Sequence, residues 1–154
     1  MFLARSHADL HNIKLGVERI KNVSDRIIGV GPVGIGLDGV LSWIPGVGIA
    51  YSAVAAFLLM AQGVRARAST ATLMQMGALL VVDTLLDGTG GPISGVLDTL
   101  FTGHKWSANL LNKHMDDTIY IEGSREDVKD RPEYASLMAR IRDGKEKRRI
   151  VFLG

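Results

Sequence analysis

Apolar and polar positions keep a helical period at the start of the chain and lose it in the middle. From Asp9 to Ile28, at 100° per residue, Leu10, Ile13, Val17, Ile20, Val23 and Ile27 fall within one arc. Lys14, Glu18, Lys21 and Asp25 take the other side. This spacing predicts an amphipathic helix. Lys14/Glu18 and Lys21/Asp25 are opposite charges at i, i+4, each adding about 0.3 kcal/mol. Such a helix either packs on the rest of its domain or lies in a membrane interface. Gly29-Val30-Gly31-Pro32-Val33-Gly34-Ile35-Gly36 then ends it and turns the chain. These glycines follow no strand pattern and precede no Gly-Lys-Ser/Thr, so a phosphate-binding loop is not read here.

Next comes Gly39–Val64, a run without a single charged side chain, broken by Ile44-Pro45-Gly46-Val47-Gly48. The pattern predicts a short helix over Leu37–Trp43 and a longer one over Gly48–Gly63, apolar nearly all round. A helix without a polar face is buried in protein or in lipid. About 20 apolar residues cross a bilayer core, so the run reads as a kinked span, a re-entrant hairpin or the core of a bundle. Arg65 and Arg67 close it as a cytoplasmic stop would. Arg19, Lys21 and Arg26 make the other flank basic too, which favours a segment entering and leaving on one face.

Ser69 and Thr70 are N-cap candidates for a helix from Ala71 to about Leu86. Gly88-Thr89-Gly90-Gly91-Pro92 is a second breaker, and a helix from Ile93 to about Met115 follows, becoming polar as it proceeds. The two apolar units are alike. Each runs from an acid through a short apolar piece and a proline–glycine break into a longer helix, as in membrane proteins with internal symmetry. After Asp116 the chain is charged. Thr118–Ile121 reads as a short extended piece, Glu122–Asp130 as loop, and Glu133–Arg142 as a helix with Pro132 in its first turn. The tail pairs a basic cluster, Lys145–Arg149, with the apolar Ile150–Leu153. The basic cluster suits anionic headgroups, or is simply a solvated tail.

Across 154 residues the formal charge is +2, too near neutral to argue a nucleic-acid partner. Its distribution matters more. Between Gly39 and Thr102 the charges are Arg65, Arg67, Asp83, Asp87 and Asp98, with dense charge on either side. No cysteine is present, so disulfides, thiolate nucleophiles and cysteine-ligated metals are excluded. Nothing at the N-terminus reads as a cleaved signal peptide. No G-x-S-x-G frames a serine nucleophile, and no catalytic, cofactor or metal set is read from the sequence.

Asp38, Asp83, Asp87 and Asp98, with His104, are the titratable groups in or beside the apolar region. In a membrane such groups mark an ion or proton path. Asp83 and Asp87, at i, i+4, share a helix face. The plainer reading has Asp38 and Asp98 capping helices or pairing with Arg65 or Lys105, and Asp87 at a solvated helix end. Trp43 and Trp106, with Arg65 and Arg67, read as membrane-interface anchors.

LDGVLSWIPGVG, then VDTLLDG…PISGVLDTLF about 45 residues on, then KWSANLLNKH, resembles a bacterial domain-of-unknown-function family, number four-one-one-two. The resemblance covers roughly Asp25 to His114. Ile49 stands where an acid commonly follows the family's motif, and a glycine-rich insertion precedes Pro92. The resemblance implies a small helical, membrane-associated protein and carries over no activity, cofactor or catalytic residue.

The expectation is therefore an all-α chain: an amphipathic helix (1–28), two glycine–proline-broken apolar hairpins (29–115) and a charged extension (116–154). Its expected role is non-enzymatic, a membrane-embedded accessory or structural subunit at the bacterial inner membrane with cytoplasmic termini. Its expected partners are lipids and a membrane complex or a second copy, without nucleic acid. The alternatives are an ion or proton conduit through the aspartates, and a soluble helical binding module or hydrolase.

Overall fold

In the computed structural model, residues 3–28, 47–88 and 103–154 are described. Ser6 and Asp9 start the first helix, α1 (His7–Ile28), as a capping box. The Asp9 backbone N–H donates to Ser6 Oγ and the Ser6 N–H donates to Asp9 Oδ2. The Arg5 backbone N–H on the same carboxylate is the first reason its pKa falls below the ordinary value. The predicted arc is the buried one: Leu10, Ile13 and Val17 are in the core.

Three more helices follow, α2 (Val47–Arg65), α3 (Thr70–Gly88) and α4 (Gly103–Asp116). Side-chain pairs set their directions. Glu18 accepts from Asn112 and Lys14 meets Asp116 at 2.7 Å, so α1 and α4 run antiparallel. Thr72 faces His114 and Asp83 faces Gly103, so α3 and α4 do the same. The tight turn between α2 and α3 makes them a third antiparallel pair. Among the described residues the result is a four-helix, up-and-down bundle of two layers, α1 with α4 and α2 with α3. Ile13, Leu59, Met76 and Leu111 meet at its centre, each fully buried.

The turn between α2 and α3 is built on an arginine. The Ala68 N–H donates to Gly63 O and the Arg67 N–H to Val64 O, a Schellman ending with Arg67 in the left-handed position at φ 54°. Glycine usually sits there because it has no Cβ. Arg67 is held by its own side chain, which donates to the Phe152 and Leu153 carbonyls. The carbonyls left open at the helix end are also taken: Arg65 O by the Ala4 N–H, Ala66 O by the Tyr120 hydroxyl, Arg67 O by Arg149.

The extension departs from the all-α expectation. Strand β1 (Thr118–Ile121) pairs in parallel with β2 (Arg149–Phe152), in the register Thr118↔Arg149 to Ile121↔Phe152. A parallel pair needs a long crossover. It is supplied by α5 (Arg125–Val128) and α6 (Pro132–Arg142). Ser124 and Asp127 cap α5 within the stretch expected as loop, and Pro132 opens α6 as expected. The apolar tail is not a solvated end: Leu153 is fully buried and belongs to the bundle's core cluster.

The apolar middle also departs from expectation. Among the described residues no helix is long and apolar enough to cross a membrane. The two apolar helices are instead divided lengthwise. One face of α2 (Ala55, Leu59, Ala66) and one of α3 (Thr72, Met76, Leu80) are spent on a core shared with the charged helices α1 and α4. The expected short helix Leu37–Trp43, both proline breaks and the start of the Ile93 helix lie outside the described residues.

Candidate functional site

Asp83 is the one sequence-flagged acid whose side chain is described, and it is 5% exposed. Asp38 and Asp98 lie outside the described residues, as does the side chain of Asp87. The partner of Asp83 comes from another helix. One carboxylate oxygen accepts from the Gly103 backbone N–H at 2.7 Å and the other meets His104 Nδ1 at 2.5 Å. Gly103 opens α4, so Asp83 caps that helix from α3, with its charge against the positive end of the helix dipole. The approach is close enough to require glycine. A Cβ on Gly103 would lie 2.5 Å from Asp83 Cβ and 2.7 Å from the Leu79 carbonyl oxygen. His104, 6% exposed, is thus fixed beside Asp83. Among the described residues no three His, Cys, Asp or Glu side chains converge as a metal site would need.

The anchor residues divide. Arg67 is committed to the turn and the C-terminal carbonyls, and Arg65 donates to Gln62 at 3.1 Å. Trp106 is 57% exposed, on the outer side of α4 with Asn109 and Lys113. Trp43 lies outside the described residues.

Exposed apolar side chains line the outside of the α2–α3 layer. Phe57 is 73% and Met74 71% exposed. Val54, Leu58, Val64, Val81 and Val82 are exposed with them. No charged residue occurs in 53–64 or 70–82. Solvent-exposed apolar residues scattered singly are ordinary, whereas a contiguous patch of large ones marks an interaction surface. The opposite layer is more polar: α1 exposes His11, Asn12, Arg19 and Asn22 beside Leu15, and α4 exposes Asn109, Lys113 and Asp116 beside Trp106.

A polar cluster closes the end of the bundle where α2 turns into α3. The Ser69 backbone N–H and Arg149 both donate to His114 Nε2, each at 3.2 Å. Nδ1 therefore carries the proton and donates to Thr72 Oγ1 at 3.0 Å, which shares a hydrogen bond with Ser69 Oγ at 2.8 Å. Burial first, and the Arg149 charge second, hold the imidazole below its ordinary pKa. Next to this cluster a loop folds around Glu146. Its carboxylate accepts from the backbone N–H groups of Lys147 and Arg148, from Arg148 Nε and Nη2, and from Arg140. The Arg148 contacts are the main cause of its pKa dropping to about 2. Lys145, Lys147, Arg148 and Arg149, with Glu146 and Asp117, line an open concavity of about 520 Å³ here. The sequence showed this cluster as a basic run but not its shape, because the parallel β1–β2 pairing creates it.

The family model described as Domain of unknown function (DUF4112) matches residues 14–115. No curated protein and no solved structure matches the chain.

Proposed function

We propose a membrane-associated, non-enzymatic role for this chain, which belongs to the DUF4112 family. The α2–α3 layer lies along a bilayer surface with its exposed face in the headgroup–acyl boundary, and the α1–α4 layer faces water. The chain then acts as an accessory or structural subunit, presenting its polar layer to a membrane complex or to a second copy. The observation that carries this reading is the uncharged apolar face around Phe57 and Met74, on one layer of a bundle whose other layer exposes charged and amide side chains, with Leu15 and Trp106 among them. An apolar face opposite a polar one is the arrangement of elements that lie in, rather than cross, a membrane. In this reading Asp83 joins two helices and is not a step on an ion path.

Flotation with phosphatidylcholine vesicles tests it. The wild type is expected to float, and the double variant Phe57→Asp/Met74→Asp to remain in the dense fraction with an unchanged helical circular-dichroism spectrum. Equal flotation of a folded double variant contradicts the reading.

A further inference from the structure

We propose that the concave loop at 144–149 binds the phosphate of anionic phospholipid headgroups. The proposal rests on the membrane-surface reading and deepens it. The charges in the concavity do not cancel. Glu146 is occupied by Arg148 and Arg140, which leaves Lys145, Lys147 and Arg149 facing one acid, Asp117. Among the described residues Lys145 reaches only Asp143, at 3.8 Å and with 73% of its side chain exposed. Lys147 makes no ion pair among the described residues. Arg149 is held by two neutral acceptors, the Arg67 carbonyl at 2.9 Å and His114, so its charge is placed without being neutralised.

The loop is also held in shape before any ligand arrives. Five donations converge on the Glu146 carboxylate, two from the loop's own backbone. Gly144, at φ 70°, gives the turn that leads into it. A fixed basic concavity suits a phosphate diester, whose charge is matched by lysines as point charges and by a planar guanidinium. Position selects the lipid as the source of that phosphate. Arg149 touches Arg67 in the turn joining the two apolar helices, where exposed Val64 ends the apolar face. The concavity therefore stands at one end of that face, beside the layer placed on the bilayer. Basic residues near an anionic surface strengthen binding about fivefold each, and the effect fades with salt.

The test uses the full chain with vesicles of phosphatidylcholine alone and of phosphatidylcholine mixed with phosphatidylglycerol. Phosphatidylglycerol should tighten wild-type binding. Lys145→Glu/Lys147→Glu should lose that gain, by about fivefold or more per site, while keeping wild-type binding to phosphatidylcholine. Arg19→Glu/Lys113→Glu, on α1 and α4, makes the same change in net charge and should retain the gain. Wild-type behaviour of the lysine variant, or an equal loss in Arg19→Glu/Lys113→Glu, overturns the proposal. A melting temperature raised by inorganic phosphate at matched ionic strength, in the wild type but not in the lysine variant and without a gain from phosphatidylglycerol, assigns free phosphate and also overturns it. The two readings fail separately. Flotation on phosphatidylcholine without a phosphatidylglycerol gain sinks only the headgroup site. A gain lost in the lysine variant, but unaffected by Phe57→Asp/Met74→Asp, sinks only the apolar-face reading.

Discussion

Gly103 shows how little room separates α3 from α4. In an ordinary helix, alanine for glycine is favourable by up to about 1 kcal/mol. Here the added Cβ meets the Asp83 Cβ and the Leu79 carbonyl, neither of which is the far end of a flexible side chain. Overpacking of this kind costs about 1–3 kcal/mol, so the sign reverses. Gly103→Ala is expected to lower the urea midpoint at unchanged slope. Glu146 supplies the pH-dependent counterpart. Its folded pKa, about 2, lies below the ordinary 4.5. A depressed carboxylate contributes stability that is complete above the unfolded value and is lost as pH falls through the folded one. Glu146→Gln should therefore be less stable than the wild type at pH 7, with the gap closing between about pH 4.5 and pH 2. Thermal melts of both proteins across that range measure it. Neither residue's role was legible in the sequence. Asp83 and Asp87 share a helix face by spacing, but the contacts Asp83 makes are with Gly103 and His104, across a helix–helix interface. Arg67 was hidden for another reason: its left-handed turn is stabilised by carbonyls 85 and 86 residues away, so no local glycine announces it.

At the scale of elements, periodicity carried the reading furthest where one face is polar. The arc of α1 was legible, and the structure places it one turn-start earlier, at His7, where Ser6 and Asp9 cap it. Ser69 was legible as the cap of α3, and its Oγ accepts the Thr72 N–H. The uncharged run was legible as helix but not as to which side faces inward, since α2 has apolar residues in every direction. Leu59 and Phe57 separate the two sides. Leu59 is fully buried, so Leu59→Ala should cost about 2–5 kcal/mol. Phe57, 73% exposed, should change stability by less than about 0.5 kcal/mol on truncation to alanine. Denaturant midpoints of the two variants check the division. Strand β2 was the least legible element. Four residues after a basic cluster carry no strand pattern of their own, and the partner strand is separated from them by two helices.

Among the described residues the molecule has two unlike layers, and the extension closes the end where α2 turns into α3. At the closed end the extension ties together the start of α1, the α2–α3 turn and the end of α4: His7 Nε2 bonds the Tyr120 carbonyl, Tyr120 bonds Ala66, and Arg149 bonds Arg67. The charge asymmetry read from the sequence becomes, in three dimensions, an apolar layer against a polar one. That segregation is the basis of the membrane-surface reading, and it distinguishes lying on a bilayer from crossing it. Because the chain has no cysteine, single cysteines can be placed at will and labelled with an environment-sensitive fluorophore. The most direct measurement is depth-dependent quenching by brominated lipids, with labels at Phe57→Cys and Val81→Cys on the apolar layer and at His11→Cys and Asn109→Cys on the polar one. The account predicts quenching at 57 and 81 by bromines just below the headgroups, and none at 11 or 109. Equal quenching at all four positions, or none at 57 and 81, would contradict it.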